Sequence, residues 1–417
     1  VTMGTQSIKL RVNAFFGDHE IELAFPDNWD VQESLMAGHD RAPLTDDEMR
    51  QAMRNTYGAP TLSEMARSAT QVCILFDDIP KPTPAYRIVP FVLEELHAGG
   101  ITDDQIRFVC APGTHRPLVY SELVAKLGQD IVERYPVYNH SIWENVVHKG
   151  ETALGTPVYV NREFASCDLR IAMGSIFPHG SAGFGGGGKI IMPGVSGIET
   201  ISYHHANRRE NTGLGRIDGN VFRADLEDAA RIAGLQFKVD CVMNNKREVI
   251  GLFAGDFVEE HRAGVELARE MYTTDMVENA DVLISNAYPD ESQLGRAFWC
   301  ISRCLREGGD VVVVTHSRDG QNLHQLSGRF GTEYGGRGYN PDRGNPALDK
   351  IGKAIIMSPI MAKYDLPASD KVQWCKTWAE TLSELVGRHG PGTKVAVMPY
   401  APLQIPVEAR VPAGVAD

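Results

Sequence analysis

Short apolar runs bounded by turn residues recur along the chain, the clearest at Val72 to Phe76, Ile106 to Cys110, Leu169 to Met173, Val282 to Ser285, Val311 to Thr315 and Val395 to Met398. Runs of four to eight such residues are the signature of parallel strands buried on both faces. Amphipathic helical patterns lie between them at Thr83 to Ala98, Ser121 to Ile131, Phe222 to Ala233, Val258 to Tyr272 and Leu294 to Glu307. This alternation predicts an α/β chain with mainly parallel sheets. One exception stands near the middle. Phe237 to Met243 and Arg247 to Phe253 flank Asn244-Asn245-Lys246, which predicts an antiparallel hairpin.

With 417 residues the chain can fill two full cores. The expected division is a cofactor-binding domain over 1–273 and a smaller α/β domain over 274–417, with the last segment able to pack back on the first and the active site in the cleft between them. A Gly-rich polar stretch from Gly328 to Asn345 reads as a long loop in the second domain.

Composition narrows the function. The formal net charge of -13 leaves no cationic footprint for nucleic acid, and no long Lys/Arg run occurs. An anionic substrate would need local positive groups against that field. Seven widely spaced cysteines, mostly in apolar runs, read as reduced thiols, and Cys300 and Cys304 at i and i+4 as small buried hydrophobes. No signal-like or membrane-spanning apolar segment stands out, so a cytoplasmic protein without a membrane partner is expected. An oligomer is compatible with the sequence.

The distinctive residues follow strands. Asp77-Asp78 follow the first, Gly113 to Pro117 the second, Pro178-His179 through Lys189 the third and Tyr288-Pro289 the fourth. Ligands of open α/β sheets bind at this end of the strands. Of thirteen histidines, His115 in a Gly-Thr-His-Arg-Pro turn and His179 ahead of a glycine run have the setting of general bases. His205 shares helical spacing with Ile198 and Ile201, which predicts the apolar face, and His204 then points to solvent or to a supporting position.

Gly183 to Lys189 fits G-x-x-x-x-G-K, but Ile190 stands where a P-loop needs a Mg²⁺-binding hydroxyl. An NTPase is therefore disfavoured. The amides of Gly185, Gly186, Gly187 and Gly188 are candidates for cradling a phosphate, with Lys189 neutralising it or reacting covalently. No H-x-x-x-H, H-E-x-x-H or C-x-x-C occurs, so spacing alone predicts no metal.

Asp77-Asp78-Ile79-Pro80-Lys81-Pro82-Thr83-Pro84, Gly113-Thr114-His115-Arg116, Pro178-His179 through Lys189, and Met192-Pro193-Gly194 continuing to His205 together resemble the nickel-dependent lactate racemase family. The likeness runs from about residue 20 to 410 and is weaker in the second half. The resemblance implies nickel held by a pyridinium-thioamide-thiocarboxylate mononucleotide, the nickel-pincer nucleotide, covalently linked to Lys189 and supplied by cofactor-synthesis proteins. It implies His205 as the metal ligand, Asp78 near the cofactor, and His115 and His179 as two catalytic bases acting while hydride leaves C2 of a 2-hydroxy acid. Two bases suit a planar 2-keto acid that takes hydride back on either face. Departures fall on the substrate side. Pro80-Lys81 replaces the family's Thr-Arg, Gly295-Arg296 its Tyr-Gln, and Trp299 a lysine. Lys81 or Arg296 is then the carboxylate clamp, Trp299 narrows the pocket or stacks on a larger substrate, and a substrate other than lactate is expected. The alternatives are a C2 epimerase of a sugar acid and a non-catalytic binder of a phosphorylated nucleotide.

Overall fold

The computed structural model describes residues 6–207, 210–317, 324, 325, 349–361, 366 and 369–410. The loop expected over Gly328 to Asn345 lies outside these residues. Contacts divide the chain into two units, a larger one built on residues 38–271 and a smaller one built on 6–37 and 272–317 with the described part of 349–407.

The larger unit is organised by a six-stranded sheet in the order Val249–Gly255, Phe237–Met243, Leu169–Ser175, Val72–Asp77, Ile106–Ala111, Val137–Asn139. All neighbours are parallel except the Val249–Gly255 edge, the predicted hairpin partner of Phe237–Met243. Every residue of Val72–Asp77 is buried, as a strand covered on both faces requires. The two-residue period divides that strand between two cores: Ile74 and Phe76 pack with Phe108, Ile171 and Met173, whereas Cys73 and Leu75 pack with Val109, Ala172 and Leu226. The helices Ala85–Ala98 and Val221–Ala233 supply apolar faces to one core each.

The smaller unit has a six-stranded, all-parallel sheet in the order Val372–Cys375, Ala354–Met357, Leu305–Val314, Ala280–Asn286, Lys394–Met398, Asp30–Glu33. Residues 1–37 were expected with the first domain. Instead Asp30–Glu33 closes the edge of this second sheet, and the antiparallel hairpin Gln6–Val12 with His19–Phe25 covers one of its faces. The hydrophobic pattern says that a strand is buried without saying which sheet it joins. The helix expected over Leu294 to Glu307 is also broken. A 3₁₀ turn at Leu294–Ala297 and a short helix at Ile301–Cys304 give way to a strand from Leu305, because Leu305 pairs with Ala280. All seven cysteines are buried free thiols. No helix among the described residues is long and apolar enough to cross a membrane.

Ile8, Leu10, Val12, Leu23 and Phe25 are buried against Val282, Ile284, Val312 and Val395, each contributing about 1.5–3 kcal/mol by leaving water. Deleting residues 1–33 should therefore abolish hydrogen-exchange protection in 280–286 and 311–314 while leaving it in 72–77 and 106–111. Mass-spectrometric exchange would check this pattern.

Candidate active site

Leu169–Ser175, Val72–Asp77 and Ile106–Ala111 are adjacent and parallel, so the turns after them emerge at one edge of the larger sheet. These turns carry Pro178 to Lys189, Asp77 to Lys81 and Gly113 to His115. The first of the supporting groups is Lys126, fully buried on the helix Tyr120–Leu127. Its Nζ donates to Asp77 Oδ1 at 2.6 Å and to the carbonyls of Lys81 at 3.0 Å and Thr83 at 3.1 Å. Thr83 Oγ1 donates to Asp77 and lies 2.7 Å from Ser175 Oγ. Burial pushes the Asp77 carboxyl up, and Lys126 and Thr83 pull against that shift.

Asp78 and His115 form the second group. Asp78 Oδ2 lies 2.7 Å from His115 Nδ1, and the residues are 1% and 8% exposed. Burial alone would raise the Asp78 carboxyl. The charge and hydrogen bond of His115, with Lys81 and Lys126 nearby, outweigh it and hold the group below the ordinary aspartate value. An ionised Asp78 only accepts, so His115 donates its Nδ1–H to it. The turn beneath it is tied to the third loop by a bond of 2.9 Å from Gly113 N–H to the Gly194 carbonyl.

His179 is set the opposite way. Its Nδ1 accepts from the amides of Ser181 at 3.2 Å and Ala182 at 3.1 Å, which leaves the ring proton on Nε2. The two candidate bases thus face their surroundings as complementary tautomers.

The glycine run between His179 and Lys189 is a packed turn. The Gly185 amide donates to the Phe177 carbonyl at 2.7 Å, the Gly187 amide donates to Asp240 Oδ2 at 2.6 Å, and His261 Nε2 bonds the Gly185 carbonyl at 2.8 Å. Two of the amides expected to cradle a phosphate are therefore bonded within the protein. The need for glycine comes from close approach: a Cβ on Gly183 would meet the Arg216 carbonyl oxygen at 2.1 Å, and one on Gly186 would meet Asp240 Oδ2 at 2.6 Å, both at positive φ. Asp240 is wholly buried and ion-paired to buried Lys238. Beside them Glu260 is pushed well above the ordinary range, first by burial and then by Asp240. The turn ends in the 3₁₀ segment Gly187–Ile190, which carries Lys189.

His205 lies on the helix Ile198–Asn207, with Nδ1 2.9 Å from the Ile201 carbonyl. A carbonyl only accepts, so Nδ1 carries the proton and Nε2 the lone pair. Burial, then the positive neighbours His204 and Lys189, push its pKa well below the usual value, so the ring is neutral. The expected faces of the two histidines are exchanged. His204 is fully buried in line with Ile198 and Ile201 and bonds the Phe222 carbonyl at 3.0 Å, while His205 is only half-buried. Positions 198, 201 and 204 form the buried stripe, and His205 falls one residue beyond it. Among the described residues no group of three or more His, Cys, Asp or Glu could hold a metal unaided.

Residues 16–215 match the family model described as the lactate racemase N-terminal domain. The chain is 28% identical over 376 residues to the lactate racemase of Lactiplantibacillus plantarum, covering 84% of this chain and 88% of that one. It is 26% identical over 285 residues to the lactate racemase of Thermoanaerobacterium thermosaccharolyticum, 66% of each chain. These similarities support the lactate racemase family. The solved lactate racemase apoprotein from T. thermosaccharolyticum has the same fold, with a TM-score of 0.72, 22% identity and coverage of 96% of this chain and 100% of that one. A Thermotoga maritima protein superposes with a TM-score of 0.65 at 16% identity, over 87% and 99% of the two chains. The lactate racemase relatives indicate an isomerase, a racemase.

Among the residues that the family resemblance singles out, Asp78, Lys81, His115, His179, Lys189 and His205 all lie in the larger unit. Arg296 and Trp299 lie in the smaller one. Arg296 is ion-paired to buried Asp290 at 2.8 Å and donates to Gln293 Oε1 at 2.9 Å. The Trp299 indole donates to the Ala401 carbonyl at 2.8 Å while its ring packs on the apolar cluster around Ala297 and Ile301. Both therefore have structural duties already. The sequence reading missed Lys126, Lys238, Asp240, His261 and His324. A charged residue inside an otherwise apolar strand, as in Phe237-Lys238-Val239-Asp240, was the one available signal for two of them.

Asp240→Asn should leave the buried Lys238 charge without its partner and cost about 3–5 kcal/mol, read as a lower urea midpoint. Gly186→Ala should also lower that midpoint.

Proposed function

We propose that the protein is a nickel-pincer-dependent racemase or epimerase of a 2-hydroxy acid other than lactate. The observation that carries this reading is how three histidines hold Nδ1: His115 against the Asp78 carboxylate, His179 accepting from the amides of Ser181 and Ala182, and His205 against the Ile201 carbonyl. A metal-bound imidazole characteristically donates its other nitrogen to such a carbonyl. Among the described residues no group of three or more protein ligands is present, so a metal held by His205 would take its other donors from a cofactor. Lys189 would carry the nucleotide through its Nζ and His205 Nε2 would ligate nickel. When bound, the group supplies an acceptor for hydride from substrate C2.

The chain's own residues do the proton chemistry. His115 Nε2 takes the hydroxyl proton of the enantiomer whose oxygen faces it, and Asp78 steadies the imidazolium that forms. His179 offers Nε2–H to an oxygen on its side. To accept a proton at Nε2 it must instead carry its ring proton on Nδ1, which gives up the bonds from the Ser181 and Ala182 amides. Lys81 is favoured over Arg296 as the carboxylate clamp, because Arg296 is already neutralised by Asp290. A point-charge ammonium in place of a guanidinium fork binds a carboxylate with less fixed geometry, which supports a substrate other than lactate.

Protein made together with cofactor-synthesis enzymes should show a mass adduct on Lys189, and full activity with an unmodified lysine would exclude the covalent link. His115→Ala and His179→Ala should each lower racemisation about 10²–10⁴-fold. His179→Asn should retain C2 deuterium scrambling with one enantiomer only, measured across a panel of 2-hydroxy acids. Racemisation by either alanine variant at the parent rate would remove the two-histidine scheme.

A further inference from the structure

His324 is far from the motifs in sequence, yet it sits against the catalytic turn. Its Nε2 lies 3.1 Å from Thr114 Oγ1, and its ring meets that of His115 edge-on, with centroids 5.6 Å apart and planes at 69°. The next residue completes the contact. The Gln325 amide donates to the Thr114 carbonyl at 2.7 Å, and its side chain reaches the His115 carbonyl at 3.4 Å and accepts from the Trp143 indole. Two consecutive residues thus grip both members of the Thr114-His115 dipeptide.

The Asp78 bond fixes one point on the His115 ring and leaves rotation about that bond unopposed from Asp78 itself. A ring edge placed beside the imidazole removes that freedom. We propose that His324 is a positioning residue for His115, holding the imidazole in the orientation that keeps Nδ1 on Asp78 and presents Nε2 to substrate. A second cation beside His115 would oppose its protonation during turnover. Burial, then the positive neighbours His115, Lys81 and Lys189, bring the His324 pKa down to about 3, so it stays neutral there. The role assigned to His115 rests on the proposed function, but the restraint on its ring can be read without turnover.

Full-length protein labelled with ¹⁵N-histidine, made without cofactor, provides that reading. Long-range proton–nitrogen spectra should show His115 as a single Nδ1–H tautomer in the parent and in His324→Phe, which keeps a ring edge. His324→Ala should give exchange-broadened or averaged His115 nitrogens, and Thr114→Val, which removes the hydroxyl that His324 bonds, should shift them the same way. In cofactor-loaded protein, His324→Ala should lower kcat about 10- to 100-fold with little change in KM, and His324→Phe should recover most of it. Unchanged His115 nitrogens in both His324→Ala and Thr114→Val would overturn the proposal. So would a rise in KM alone, equal in the alanine and phenylalanine variants, since that would make His324 a substrate contact. A chain inactive on every 2-hydroxy acid would sink the functional reading and leave the nitrogen spectra to decide this one.

Discussion

The ammonium of Lys126 holds the candidate-site edge of the larger sheet together. It is fully buried, yet it finds three oxygens: a carboxylate oxygen of Asp77 and the carbonyls of Lys81 and Thr83. A buried charge is tolerated only when it is paired and its protons are bonded. Here the requirement also fixes the backbone between Asp77 and Thr83. Asp78 is thereby aimed at His115, and Lys81 is held at the mouth of the same turn. A second buried pair, Lys238 with Asp240, does the same for the glycine turn that leads to Lys189. Two of the three loops of the site thus rest on an internal ion pair.

Electrostatics inside the site run against the charge of the whole chain. The net charge of -13 repels anions at a distance, while Lys81 and Lys189 gather positive charge near His205 and His324. His205 and His324 stay neutral there because burial and nearby positive groups both penalise a further cation. A neutral ring is what metal ligation requires of His205.

Much of this was legible in the sequence. The buried strands, the hairpin around Asn244, and the placement of His115 and His179 just after strands all follow from hydrophobic period and turn chemistry. The packing role of the glycines did not, because a run of glycines looks the same whether it opens to a ligand or closes on a buried aspartate. The exchange of His204 and His205 arose from a one-residue difference in helical phase, about 100° of rotation. His324 was invisible because its neighbours in space, Thr114 and His115, lie about two hundred positions away along the chain. Arg296 and Trp299 looked free for substrate because a sequence does not display the partners, Asp290 and Ala401, that occupy them.

The pairing of Asp30–Glu33 with Lys394–Met398 has a consequence for the order of events during synthesis. The first strand of the smaller sheet to leave the ribosome is an edge whose neighbour emerges more than three hundred residues later. Residues 38–271 meet no such delay, since every strand of their sheet is available once that stretch is made. The larger unit can therefore fold while the chain is still growing. The hairpin of residues 6–25 can pair with itself but waits uncovered until the strands from Val282 onward are made, with a long loop to close.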